Sequence, residues 1–214
     1  MGADGAPAGA SGHYFDASPA VASRPATAEL TLPDLHLVLR TDRGVFGHGG
    51  IDSGTKYLLL EAAKPPARTA GDLLDLGCGY GPIALTLARR APDATVWAVD
   101  VNERARELCV ANAVRAGITN VRVVAPDEVP ASVMLAGLWS NPPIRIGKRA
   151  LHDILEQWLP RLSPAAHAWL VVQKHLGSDS LARWLVAQGY PTSRLGSRAG
   201  YRILRVDPAP PPGS

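Results

Sequence analysis

Cysteine is nearly absent from this chain, with Cys78 and Cys109 the only two in 214 residues. Neither falls at a metal-ligand spacing, and two are too few for a disulfide framework, so a zinc fold or a disulfide-stapled scaffold is not expected. His13, His48, His152, His167 and His175 also miss ligand spacing, and no metal site is expected. No apolar run approaches the roughly 20 residues that cross a bilayer. The N-terminus lacks the basic start and apolar stretch of a secretory signal, which makes a reducing cytoplasm the expected setting. Acidic residues are scarce late in the chain. Residues 141–206 hold 3 Asp/Glu against 10 Lys/Arg, a balance of +7. Residues 1–140 hold 15 against 12, a balance of −3, and Asp207 closes the total at +3. A basic half suits an anionic partner such as a phosphate backbone, and it equally suits a solvated face kept for solubility.

The chain has an ordinary 46% hydrophobic content, enough for one domain with a sizeable core. Residues 1–12 are small, polar and Gly-rich, and read as a disordered tail, as does the Pro-rich stretch 208–214. Residues 13–70 read as an N-terminal extension and 71–207 as the core. In the extension, strands are expected at Glu29–Thr31 and Leu35–Thr41 around the turn pair Pro33-Asp34, then a helix over Thr55–Ala63. The core alternates between strand and helix. Strands at Asp72–Leu76, Thr95–Asp100, Val121–Val124, Met134–Ser140 and His167–Val172 are interleaved with helices at Pro82–Arg90, Glu103–Ala116, Lys148–Leu162 and Ser180–Gln188. Two last strands, Thr192–Leu195 and Tyr201–Val206, are joined by Gly196–Gly200, short enough for a hairpin. This pattern predicts an α/β fold, a doubly wound, mostly parallel seven-stranded sheet of Rossmann-like type with a short N-terminal β-hairpin. Trp158 and Trp184 fall on helical core stripes and read as packing residues.

Two loops carry chemistry. The first is Asp75-Leu-Gly77-Cys-Gly79-Tyr-Gly81, between a predicted strand and a predicted helix. Three glycines in seven residues permit a tight turn and the close approach of a ligand. The spacing Gly-x-Gly-x-Gly differs from the Gly-x-Gly-x-x-Gly that cradles a dinucleotide pyrophosphate. Asp75 can hold the loop or accept from a cationic amino-acid group through a water. Asp100 ends the next strand, where a carboxylate can take both hydroxyls of a ribose, although it can also cap the helix that follows. Asp127, just past the third core strand, stands where it can accept from an adenine amino group. The three together suggest a nucleoside site.

The second loop is Asn141-Pro142-Pro143-Ile144-Arg145, after the fourth core strand. Its prolines fix the backbone and remove two N–H donors. The Asn141 amide oxygen and the Pro142 carbonyl are then placed to accept from a planar amine, with catalysis by positioning and electrostatics. Arg145, Lys148 and Arg149 follow directly, with Lys174 at a neighbouring strand end. They can contact phosphates around a flipped-out nucleotide, or be plain exposed residues. Cations at a helix start oppose its dipole, which favours the functional sense.

With these loops goes a family resemblance. The chain resembles class I S-adenosylmethionine-dependent methyltransferases, and within them the small-domain family of the ribosomal RNA guanine-N2 methyltransferases and their single-domain bacterial relatives. The similarity runs from His13-Tyr14-Phe15 through Gly44-Val45-Phe46, Gly50–Gly54, Asp75–Pro82, Asp100–Ala105, Asn141–Lys148 and Gln173-Lys174 to Gly200-Tyr201. It implies S-adenosyl-L-methionine as cofactor, bound by Gly77, Gly79, Gly81, Asp100 and Asp127. It also implies that Asn141 contacts the target amine, and that Phe46 and Asp52 lie on a segment closing over the cofactor. Pro143, Ile144, Arg145, Lys148 and Lys174 are the expected substrate contacts. Two departures stand out. Ile144 replaces the Tyr or Phe that many amine-methylating relatives stack on the target, worth roughly 1–3 kcal/mol. The best-known ribosomal members also carry an N-terminal RNA-binding domain that these 214 residues do not include. The expectation is N-methylation of a guanine amine in ribosomal RNA. The alternatives are a small-molecule or protein-amide methyltransferase, and a non-catalytic RNA-binding module.

Overall fold

The computed structural model describes residues 21–69, 71–143 and 147–210. The expected tail 1–12, the His13-Tyr14-Phe15 opening, Ile144, Arg145 and the last four residues of the Pro-rich stretch lie outside the described residues.

Strands β1 (Ala26–Leu32) and β2 (Leu35–Thr41) form an antiparallel hairpin closed at Pro33-Asp34. Both strands alternate buried and exposed residues, and Ala28, Leu30, Leu32, Leu37 and Leu39 make the buried face. Helix α1 (Ser53–Glu61) follows. The core is β3 (Asp72–Leu76), α2 (Pro82–Arg90), β4 (Thr95–Val99), α3 (Glu103–Arg115), β5 (Val121–Val124), β6 (Leu135–Ser140), α4 (Lys148–Trp158), β7 (Ala168–Gln173), α5 (Ser178–Ala187), β8 (Thr192–Arg198) and β9 (Tyr201–Val206). The seven-stranded sheet has the order β5-β4-β3-β6-β7-β9-β8. Its first five strands are parallel, and β9 runs antiparallel to both β7 and β8. The expected fold is the observed one.

The period-2 alternation of the strands divides the core between two faces. Leu73, Val96, Ala98, Trp139 and Val171 meet α1, α2, α3 and the hairpin on one face. Leu74, Leu76, Leu138, Leu170 and Leu204 meet α4 and α5 on the other. Trp139 and Trp169, cross-strand partners in β6 and β7, stack with ring centroids 4.5 Å apart. Trp158 is buried as expected, while Trp184 is half-buried and stacks on His152.

Several element ends differ from the sequence expectation for local reasons. Helix α1 begins two residues early because Asp52 caps it, accepting from the Thr55 N–H at 3.0 Å. Helix α4 stops at Trp158 and passes into a 3₁₀ turn, Leu159–Arg161, because Pro160 supplies no N–H. Strand β8 runs through Gly196 to Arg198, with a register shift between Arg194 and Gly196. The hairpin turn is thus only Ala199-Gly200, with φ of 48° and 83°, the two positive values of a type I′ turn.

Chain direction sets where a site can form. From β3 the sheet grows outward through β4 to β5, then restarts at β6 on the other side of β3. The crevice beyond the carboxyl ends of β3 and β6 is the switch point at which doubly wound sheets bind ligands. Ser140 Oγ donates to the Leu76 carbonyl at 2.6 Å and fastens these two strand ends together.

The hairpin and loops are tied to that edge by buried polar contacts. Asn112, 1% exposed, accepts from Arg40 N at 2.7 Å and donates to the Arg40 and Tyr80 carbonyls at 2.8 and 2.9 Å. Arg90 forks onto Asp34 at the hairpin turn and holds that carboxyl well below the usual range. Asn112→Ala is expected to destabilise the protein by about 2–3 kcal/mol, because it leaves the buried Tyr80 carbonyl and both part-buried Arg40 backbone groups without their partner. Urea denaturation checks this, and a loss below about 0.5 kcal/mol would show that the three bonds contribute nothing net.

Candidate active site

The glycine loop leaves β3 and turns into α2 through Gly77, Gly79 and Gly81, with φ of 77°, 55° and 97°. These are left-handed values that side chains rarely adopt. A Cβ at Gly79 would meet nothing within 4 Å, and one at Gly77 would meet only Pro143 Cδ, at 3.9 Å. Space for a ligand therefore opens over both. Gly81 differs, since a Cβ there would stand 2.7 Å from Cys109 Sγ. Its role is helix packing. The bond to Cys109 and burial push the Cys78 thiol well up, so this cysteine is no nucleophile.

Two carboxyls lie beneath the loop. Asp75 is fully buried, and its Oδ2 accepts from the Ala84 N–H at 2.8 Å in the first turn of α2. Its Oδ1 has no protein partner. Burial pushes this carboxyl up to about 8; the Ala84 bond pulls it down and the Asp100 charge pushes it further up. Asp100 takes the Gly79 N–H on Oδ2 and the Asn102 N–H on Oδ1, both at 2.9 Å. Burial raises its pKa against the pull of those amides and of Arg106. Capping of α3 falls to Asn102, which accepts from Ala105 N at 3.2 Å. Asp100 is therefore free to bridge loop and helix rather than cap. Two carboxyls that burial disfavours as anions, one with an oxygen left without a protein partner, make a floor that a cationic ligand would relieve.

The second loop sits beside the first. A narrow cleft is lined by Gly77 and Gly79 on one side, Asn141 on another, and Phe46, Asp52 and Thr55 from the N-terminal extension. Asn141 Nδ2 donates to Asp52 Oδ2 at 2.8 Å and to Thr55 Oγ1 at 3.0 Å. A carboxylate only accepts, which assigns the NH₂ group to that side and the amide oxygen to the opposite side. Tyr201 OH donates to Asp52 Oδ1 and receives a bond from Gln173 Nε2, both at 3.1 Å. Phe46 is 50% exposed at the cleft. Tyr80 OH donates to the Gly50 carbonyl at 3.2 Å and holds the Phe46 segment to the glycine loop.

The structure thus brings together Phe46, Asp52, Gly77, Gly79 and Asn141, with Pro143 against Gly77 and Asp75 and Asp100 below. It does not bring Asp127 into the cleft. That residue is exposed on the 3₁₀ turn Pro126–Glu128 after β5. Lys148 and Lys174 are exposed at the same sheet edge, and Pro142 is buried. Sequence reasoning missed Thr55 and Tyr80, and gave Gln173 and Tyr201 no role. The Asp52-Ser-Gly-Thr55 spacing is the one usable signal, being that of a helix N-cap.

A pH dependence follows from Asp75. Its folded value of about 8 lies above the ordinary 3.8, so the folded state keeps a proton that the unfolded chain has lost. Stability from this group is full below about pH 4 and is lost as pH rises towards about 8. Asp75→Asn keeps an acceptor for Ala84 N but cannot titrate. Its denaturation midpoint is expected to fall less between pH 5 and pH 8 than that of the wild type, by the contribution of one proton. Parallel profiles for the two proteins would refute this.

Comparison with known proteins agrees with this geometry. The methyltransferase small domain family matches residues 36–205. A Bacillus subtilis protein designated YbxB, described as uncharacterized, is 36% identical over 197 residues, covering 91% of this chain and 97% of its own. The ribosomal RNA small subunit methyltransferase C of Stutzerimonas stutzeri is 31% identical over 185 residues, covering 83% of this chain and 53% of its own. The solved T. thermophilus 16S rRNA N2-guanine methyltransferase RsmC, in complex with AdoMet and guanosine, superposes with a TM-score of 0.71 at 20% identity. That match covers 89% of this chain and 52% of the other, so the chain spans about half the length of the ribosomal RNA methyltransferases it matches. With the glycine loop, the paired carboxyls and the Asn-Pro-Pro edge in place, the chain belongs to the methyltransferase small domain family and is a class I S-adenosylmethionine-dependent methyltransferase.

Proposed function

We propose that this enzyme methylates the exocyclic N2 amine of a guanine in ribosomal RNA. The observation that carries the reading is the anchored Asn141 amide beside the glycine loop, with its NH₂ group committed to Asp52 and Thr55. Its oxygen is left as an acceptor for one N–H of a planar amine. Accepting that bond fixes the amine and makes its delocalised lone pair more available. When bound, S-adenosyl-L-methionine supplies an electrophilic methyl on a sulfonium and leaves as the neutral thioether. Gly77 and Gly79 give it room, Asp100 offers lone pairs to its ribose, and the upshifted Asp75 and Asp100 suit its cationic end. No general base is required, because the alkylated nitrogen turns acidic and releases its proton to water.

Charge at the sheet edge supports an RNA target. Much of the basic surplus is used internally. Arg202 and Arg194 pair with Asp179, Arg205 pairs with Asp207, and Arg161 donates to backbone carbonyls. Lys148, Arg149, Lys174 and Arg198 are exposed and form no ion pair with any described residue. All four lie at the carboxyl edge. Lys148 and Arg149 open α4, Lys174 follows β7, and Arg198 ends β8, which runs parallel to β7. Lys148 and Arg149 stand at a helix start, where each cation costs about 0.3–1 kcal/mol. Phosphate contacts would offset that cost. The relatives that act on 16S rRNA point the same way, as does the half-exposed Phe46 at the cleft, which can face a base.

Labelled methyl is expected to pass from S-adenosyl-L-methionine to ribosomal RNA or to small subunits from cells lacking the gene. Asn141→Ala should lower transfer by about 100- to 1000-fold while calorimetry finds cofactor affinity unchanged. Cofactor binding with no transfer to any RNA would favour a small-molecule or protein-amide substrate. Lys148→Ala with Lys174→Ala should weaken RNA binding and reduce its salt slope by about 2, with thermal stability unchanged or slightly higher. An unchanged slope would remove these two residues from the RNA contact.

A further inference from the structure

We propose that Asp52, Tyr201 and Gln173 are positioning residues that hold the Asn141 amide in a single orientation, its oxygen turned to the target amine. This rests on the reading of Asn141 given above.

The hydrogen bonds form one directed chain. Gln173 Nε2 donates to Tyr201 OH, Tyr201 OH donates to Asp52 Oδ1, and Asn141 Nδ2 donates to Asp52 Oδ2. Each link has a fixed sense. A carboxylate has no proton to give, so the Asn141 amide cannot flip without facing one acceptor with another. The Tyr201 bond on Oδ1 and the Thr55 N–H on Oδ2 fix the carboxylate plane, so that Oδ2 keeps facing Asn141. Thr55 Oγ1 takes the second Asn141 Nδ2 bond and holds the amide at a second point, while the sense is set by the carboxylate.

The surrounding backbone is arranged for this chain. Gln173 and Tyr201 are register partners at the ends of β7 and β9, and Lys174 N donates to the Gly200 carbonyl at 2.7 Å. The tight Ala199-Gly200 turn, with Ala199 at a left-handed φ of 48°, delivers Tyr201 directly after it. Residue 54 must be glycine for Tyr201 to reach Asp52, since a Cβ there would come within 2.5 Å of the Tyr201 ring and 2.9 Å of Asp52 Oδ2. Four segments, 89 and 149 residues apart in the two longest bonds, are thereby committed to one side-chain amide. A role confined to stability would not need this sense of donation.

Three variants separate orientation from folding. Asp52→Ser keeps a capping oxygen for α1 but is too short to reach Asn141, and kcat should fall about 10- to 100-fold with KM and cofactor affinity little changed. Asp52→Asn can keep an oxygen facing both Thr55 N and Asn141 Nδ2, so it should recover at least about 10-fold over Asp52→Ser. Tyr201→Phe keeps the ring over Gly54 and should lower kcat about 3- to 10-fold. A readout independent of substrate is hydrogen exchange of the Asn141 Nδ2 protons by NMR, identified by their absence from Asn141→Ala. They should exchange slowly in the wild type and quickly in Asp52→Ser. An unchanged kcat in Asp52→Ser, equal losses in Asp52→Ser and Asp52→Asn, or fast exchange in the wild type would each overturn the proposal. Slow exchange released by Asp52→Ser in a protein that transfers no methyl to RNA would leave the anchoring intact and remove the RNA reading.

Discussion

Helix α2 begins with Gly81-Pro82, so no side chain at its own N-cap satisfies the first-turn amides, and the acceptor for the Ala84 N–H comes instead from Asp75, nine residues before it. That bond joins the end of β3, the whole glycine loop and the helix start into one rigid piece. Without it, three glycines in seven residues would leave the loop with many conformations of similar energy. Asp100 repeats the device from the next strand by taking the Gly79 N–H. The loop is shaped by two buried acids rather than by its own side chains. The cost is a pair of carboxyls that burial drives towards the protonated form, Asp75 further so under the Asp100 charge. An enzyme whose cofactor carries positive charge turns that cost into affinity, because ligand charge restores what desolvation removed.

The N-terminal extension completes the other half of the site. Its hairpin is held to the core through Asn112 and Arg90, and its loop through Tyr80 and Asn102. Asp52 then does two things with one carboxylate, starting α1 and anchoring the Asn141 amide. Packing of the extension and alignment of the reactive group are therefore the same event. Loosening either end of residues 42–52 would be felt at Asn141, although nothing in that stretch needs to touch the target.

The sequence shows the cofactor side far better than the target side, for physical reasons. Glycine spacing, a strand-ending Asp and strand–helix alternation are local signals, and the structure returns them as positive φ values, loop-holding carboxyls and the expected sheet. Asp75 was legible as important, but its cap on Ala84 depends on how far the loop doubles back. The bonds from Asp52 to Asn141 and to Tyr201 join residues that no periodicity relates. The strings Gln173-Lys174 and Gly200-Tyr201 are visible in the sequence, but only the antiparallel pairing of β7 with β9 makes them neighbours. Asp127 lies exposed on the 3₁₀ turn after β5, outside the lining of the narrow cleft, and its sequence position alone does not show that separation.

These two sides also differ in what they can discriminate. Positive-φ glycines and buried acids are fixed before any ligand arrives, so the cofactor pays little ordering cost and is recognised by shape and charge. The proposed RNA side consists of long exposed cations, which attract any phosphate backbone, and of Ile144 in place of a stacking aromatic. Neither feature reads a base. On the proposed reading, selection falls on what Asn141 can accept: an amine with a free N–H, presented edge-on within reach of the methyl. A rigidly oriented amide would compensate for the missing aromatic face, because a base that cannot donate to it leaves a buried acceptor unpaired, at about 1–3 kcal/mol. The more the surrounding surface is generic, the more the direction of this one amide has to specify.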